Sequence, residues 1–209
     1  MKILVADDHE VVREGLKQIV SRLNAFSVVD EASDGNEALK MIERNSYDMA
    51  IMDISMPGKS GLDVLQILRD KGIKLPVLIL SIHSEEQYAI RVLKLGAHGY
   101  LCKNSVYKEL ASAISTILDG RKYISQFIAE TVLSEPQSGL SKVPHEKLSP
   151  REFQVMCMIA RGESLNEIAN SLFISSKTVS THRARILEKM NMGKNADIIN
   201  YAIKNNLVE

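Results

Sequence analysis

The sequence contains no tryptophan, four phenylalanines, two cysteines and five prolines in 209 residues. The two cysteines, Cys102 and Cys157, stand far apart. They support neither a disulfide framework nor a zinc site, and read as small core residues suited to a reducing compartment. Net charge is also lacking, because 26 basic residues balance 26 acidic ones. The chain as a whole is therefore not an electrostatic adhesive for nucleic acid or membrane. No apolar run approaches the roughly 18 residues of a membrane span. The opening MKILVADDHE turns acidic too early for a signal peptide, so a cytoplasmic protein without membrane contact is expected. A composition 45% hydrophobic and 25% charged is that of a folded soluble chain, long enough for one large or two small domains.

Short apolar runs punctuate the first 120 residues: Ile3–Ala6, Phe26–Val29, Met49–Met52, Val77–Leu80 and Gly99–Cys102. Between them, apolar residues recur at helical spacing, as in Val12, Leu16, Ile19 and Leu23, in Val64, Ile67 and Leu68, and in Ala111, Ile114, Ile117 and Leu118. Five strand–helix units predict an α/β doubly wound, five-stranded parallel sheet covered on both faces. Residues 121–147 lose the pattern at Pro136, Gly139 and Pro144 and read as a linker, with one short helix predicted over Phe127–Leu133. Residues 148–209 read as all helical. Ser149-Pro150-Arg151-Glu152 and Ser164-Leu165-Asn166-Glu167 are capping boxes, and Ser175 caps a third helix that ends near Met190. A fourth helix is predicted over Ala196–Lys204.

In an open parallel sheet the strands' carboxyl ends carry the site. Here they end in Asp7-Asp8, Asp53, Ser81 and Lys103. Clustered carboxylates repel one another unless a hard cation joins them, and Mg²⁺ suits oxygen ligands. A carboxylate there can also act as a nucleophile and become an aspartyl-phosphate. A polar strand rim without chemistry is the plain alternative, and five such residues at matching strand ends weigh against it. His83 reads first as a solvated loop residue, with contact to an attacking water as the alternative, and His9 is open in the same way.

These residues carry a resemblance. Residues 1–120 resemble the receiver domain of two-component response regulators, through Asp7-Asp8, Asp53 in MAIMDISMPGKSG, Ser81 in VLILS and Lys103 in GYLCK. The resemblance implies a flavodoxin-like fold in which Asp53 accepts a phosphoryl group from a sensor histidine kinase. It implies Mg²⁺ held by Asp8, Asp53 and the Ser55 backbone carbonyl, with Asp7 assisting. Ser81 and Lys103 would contact phosphoryl oxygens, and Tyr100 would be the aromatic switch. Asn104 replaces the proline that many receivers carry after the lysine, so a trans bond is expected there.

In the tail, Ser164–Leu172, the turn Phe173-Ile174 and Ser175–Met190 outline a helix-turn-helix. Val179, Ile186 and Met190 share one face of the last helix, and Lys177, Thr181, Ala184 and Glu188 share the opposite one. LSPREFQVMCMIARGESLNEIANSLFISSKTVSTHRARILEKMNM resembles the LuxR-type helix-turn-helix of the NarL/FixJ response regulators. The GacA/UvrY-like members also carry R-Y-I in the linker, here Arg121-Lys122-Tyr123-Ile124. The resemblance implies double-stranded DNA as partner and a homodimer when phosphorylated, with Ile198, Ile199 and Ala202 as candidate dimer contacts. Candidate DNA-contacting residues are Ser175, Lys177, Thr178, Ser180, Thr181, Arg183 and Arg185. The receiver is expected to assist only its own Mg²⁺-dependent phosphorylation and dephosphorylation, not to turn over a substrate. A phosphatase of the haloacid-dehalogenase type would want an Asp where Ser55 stands. The remaining alternative is a phosphorelay or docking receiver whose helical tail binds protein.

Overall fold

The computed structural model describes residues 1–23, 28–82, 85–125, 144–205 and 207–208, with the side chains of 85–88 left aside. Phe26, His83 and the helix expected over Phe127–Leu133 lie outside the described residues. The chain divides into two compact units, Met1–Glu135 and Pro136–Glu209.

The first unit alternates β1 (Lys2–Ala6), α1 (Glu10–Ser21), β2 (Val28–Ala32), α2 (Gly35–Arg44), β3 (Met49–Asp53), α3 (Gly61–Asp70), β4 (Val77–Ser81), α4 (Glu85–Lys94), β5 (Gly99–Cys102) and α5 (Val106–Leu118). The five strands form one parallel sheet in the order β2-β1-β3-β4-β5. Strands β3 and β4 are buried along their whole length, which is why they read as unbroken apolar runs. The core gathers Ile3, Val5, Leu16, Val20, Ile51, Leu78, Leu80, Leu110, Ile114 and Ile117.

Three expectations shift. The second strand runs on to Ala32 rather than stopping at Val29. It is an edge strand, so Asp30 and Glu31 sit at its margin, paired with Lys2 and Lys17 at 2.9 and 2.6 Å. On α5 the buried stripe is Leu110, Ala113, Ile114 and Ile117, and Ala111 is exposed. The residues after α5 also stay on the sheet: Tyr123 forms a parallel bridge with Gly99, its N–H donates to the His98 carbonyl at 2.7 Å and its hydroxyl to Glu109 Oε2 at 2.7 Å. A Cβ at Gly99 would lie 2.9 Å from Leu78 Cδ1 and 3.1 Å from Tyr123 Cβ, so glycine lets the two segments approach closely without displacing either side chain.

Among the described residues, the second unit comprises a 3₁₀ turn (Pro144–Lys147), α6 (Pro150–Ala160), α7 (Leu165–Ser171), α8 (Ser176–Met190) and α9 (Asn195–Lys204). Both predicted capping boxes form, at Ser149/Glu152 and Ser164/Glu167. Helix α6 packs on α8 and α9, and α7 on α8. No described helix is long and apolar enough to cross a membrane.

Candidate functional site

The sheet delivers its acidic residues to one rim because each lies at or just past the carboxyl end of a parallel strand. Pairing continues just past the strand ends: Asp7 N–H donates to the Ala32 carbonyl at 3.2 Å, Ile54 to Leu80 at 3.0 Å and Lys103 to Ser81 at 2.7 Å. Asp7, Asp53 and Ser81 are buried as a result. The Lys103 ammonium lies 2.7 Å from Asp7 Oδ2 and 3.1 Å from Asp53 Oδ1, so one cation serves two buried carboxylates. Asp8 stands at the more open margin, its side chain 15% exposed. Helix α3 begins so close to Asp53 that a side chain on Gly61 would strike the Asp53 carbonyl oxygen. Ser60 and Asp63 cap that helix reciprocally, fixing the loop that carries Ser55, itself half-buried. Tyr100 is fully buried in β5, opposite Ile79. Among the described residues no peptide bond is cis, the one after Lys103 included.

Electrostatics follow from this burial. Desolvation pushes the Asp53 carboxyl up to about 6; Lys103 pulls it down, and Asp7 and Asp8 add to the rise. Burial lowers the Lys103 ammonium, but Asp53 and Asp7 together outweigh it and hold Lys103 above its ordinary value. With all four groups ionised, three carboxylates face one ammonium. The donors are hard oxygens, two of the carboxylates are buried, and one positive charge leaves the cluster electron-rich. That set fits a divalent cation such as Mg²⁺.

His9 belongs to the same cluster. Its Nδ1 lies 2.8 Å from Asp8 Oδ1 and 3.2 Å from Asp7 Oδ1, and Asp7, Asp8 and His9 could together hold a metal ion. The sequence left His9 undecided because its neighbours alone do not say which way the ring turns. Arg13, which no sequence motif marks, also joins the cluster: its Nη1 donates to the Asp7 carbonyl at 2.8 Å. Its position one helical turn after His9 was the available signal.

In the helical unit, Ser175, Lys177, Thr178, Ser180, Thr181 and Arg185 are all exposed on or beside the outer face of α8, while Val179, Ile186 and Met190 are buried. Ser175 Oγ accepts from the Thr178 N–H at 3.1 Å and caps the helix. The hydroxyls of Ser180 and Thr181 donate to the Ser176 and Lys177 carbonyls at 2.9 and 3.0 Å. Arg183 departs from the group: it turns toward α9, where its Nε donates to Asn195 Oδ1 at 2.6 Å. Position 183 lies near the buried face of the helix, about 40° from Val179 at 100° per residue. Two of the three candidate dimer contacts need correction: Ile198 and Ala202 have no exposed surface, since α9 packs them inward with α6, whereas Ile199 is half-buried and Ile203 is 57% exposed.

Comparison with known proteins agrees with both halves. Residues 3–115 match the response regulator receiver domain, and residues 146–202 match the bacterial regulatory proteins of the luxR family. The chain is 35% identical to the response regulator UvrY of Escherichia coli K12 over 99% of this chain and 95% of that protein. It is 36% identical to the oxygen regulatory protein NreC of Staphylococcus carnosus, covering both chains fully. Among solved structures, RcsB of Salmonella enterica serovar Typhimurium, bound to promoter P1flhDC in the presence of the phosphomimetic BeF3⁻, superposes with a TM-score of 0.67. That match is at 23% identity over 96% of this chain and 97% of that one, and shows the shared fold.

Proposed function

This chain belongs to the two-component response regulators that join a receiver to a LuxR-type DNA-binding domain, and from that premise we propose how its own residues perform the work. Asp53 is the phosphoacceptor. Its carboxylate oxygen attacks the phosphorus of a phosphohistidine on a sensor kinase, the P–N bond breaks, and an aspartyl-phosphate remains. Burial that lifts Asp53 to about 6 still leaves it mostly ionised at neutral pH, as a nucleophile must be. Lys103, already 3.1 Å from Asp53, pairs with a phosphoryl oxygen. The Ser81 hydroxyl donates to another, and Tyr100 occupies the inward position of a switch residue. Asp7, Asp8, Asp53 and the Ser55 carbonyl would hold Mg²⁺, which would neutralise charge on the transferring group.

The modified receiver biases the molecule toward a DNA-binding state, a homodimer in the cytoplasm. Lys177 and Thr181 face the major groove, with Ser175, Thr178 and Ser180 at its margin and Arg185 on the backbone. Arg183 supports α8 from behind through Asn195. The two extents proposed are a receiver over 1–120 and a DNA-binding domain over 148–209, joined by 121–147.

The observation that carries this reading is the single Lys103 ammonium shared between Asp7 and Asp53 at the strand ends. Incubation with acetyl phosphate and Mg²⁺, followed by intact-mass measurement, should show one phosphoryl adduct. Removing Mg²⁺ with a chelator should abolish it. An adduct that persists in Asp53→Asn refutes the assignment.

A further inference from the structure

We propose that Arg13 is a positioning residue for the cation-binding rim, holding the Asp7–Asp8 peptide so that Asp8 presents its carboxylate to a divalent cation. The inference rests on the reading of Asp7 and Asp8 as Mg²⁺ ligands. Past Ala6, the last paired residue of β1, the Asp7 main chain is gripped from two directions. Its N–H donates to Ala32 of β2 at 3.2 Å, and its carbonyl accepts from Arg13 Nη1 at 2.8 Å. The carbonyl of Asp7 and the N–H of Asp8 share one rigid peptide plane. Fixing that plane fixes the position of the Asp8 Cα, the point from which its side chain leaves the backbone.

The two acidic side chains differ in what else holds them. Asp7 is fully buried and is held by Lys103 at 2.7 Å and by the His9 N–H at 2.9 Å. Asp8 sits at the open margin, with His9 Nδ1 2.8 Å from its Oδ1. Its orientation therefore depends more on the backbone clamp than that of Asp7. Arg13 is itself anchored. Its side chain is 15% exposed, and its Nε reaches Glu31 Oε2 at 3.4 Å. Glu31 in turn is held by Lys17 at 2.6 Å. One planar guanidinium thus spans from an edge strand to the rim, a geometry that a single ammonium does not reproduce.

Charge and position predict opposite signs. A cation near the rim repels Mg²⁺, so losing Arg13 would strengthen Mg²⁺ binding if only its charge mattered. Losing a positioning hydrogen bond weakens binding instead, and Arg13→Lys keeps the charge while losing the fork. The test is calorimetric titration of the full-length protein with Mg²⁺ alone, for wild type, Arg13→Lys, Arg13→Gln and Asp8→Asn, with thermal melts to confirm folding. The expected result is an Mg²⁺ Kd raised about three- to tenfold in both Arg13 variants, the effect of one hydrogen bond. If Arg13→Gln fails to fold, Arg13→Lys alone decides. Arg13 variants that bind Mg²⁺ as tightly as wild type, or more tightly, overturn the positioning role. An Asp8→Asn protein that binds like wild type overturns the rim reading itself, and the role of Arg13 with it.

Discussion

A single ammonium between two buried carboxylates leaves Asp53 raised to about 6, with burial the largest cause. A carboxyl raised on folding contributes stability below its unfolded value of 3.8, and loses that contribution as pH climbs through its folded value. Asp53→Asn never ionises. It should therefore raise the unfolding temperature of the Mg²⁺-free protein at pH 8 and leave it nearly unchanged at pH 4. The gain is bounded by roughly 3 kcal/mol, about two pKa units. Thermal melts at the two pH values check this. On α8, Thr181→Ala should relax preference at one base pair at a cost of roughly 1–3 kcal/mol. Arg185→Ala should weaken binding to every sequence alike and flatten the salt slope by about one unit. Affinities for single-base operator variants at two salt concentrations separate these roles, and reversed behaviour contradicts them. At this scale the sequence marked Asp7, Asp8, Asp53, Ser81 and Lys103 because each ends a strand. Arg183 was less legible. Its charge suggested the groove, whereas its angle around the helix and the partner Asn195 turn it inward.

Elements hold because their ends are satisfied. Ser149 and Glu152 cap α6 reciprocally, and Glu152 also meets Lys189 of α8 at 2.6 Å. Burial pushes the Glu152 carboxyl up, but Lys189 and the Ser149 N–H more than reverse this and hold it below 4.5. A carboxyl lowered on folding stabilises above its unfolded value, and that stability is lost as pH falls through the folded one. The helical unit should thus weaken below about pH 4.5, and Glu152→Gln should flatten that acid limb of a melting-temperature profile. Ser149→Ala should cost about 1 kcal/mol, read as a lower denaturation midpoint with unchanged slope. Capping boxes were legible because they are local. The extent of β2 was not: an edge strand tolerates Asp30 and Glu31 at its margin, so its hydrophobic signal stops before its hydrogen bonding does. Nor was the Tyr123 bridge, which pairs residues 24 positions apart across α5.

Two units with different architectures let one chain separate reception from reading, and the alternation of strand and helix followed by capped helices announced that division. In the function proposed for this chain, chemistry at Asp53 governs DNA binding by the other unit. That link is tested most directly by titrating full-length protein against DNA sites selected from a random pool, with and without acetyl phosphate and Mg²⁺, in wild type and Asp53→Asn. Coupling between sites of this kind is worth about 5- to 150-fold in affinity. A gain in that range is expected for phosphorylated wild type and none for Asp53→Asn. An equal gain in Asp53→Asn, or no gain in a wild type whose mass shows the adduct, would contradict that link.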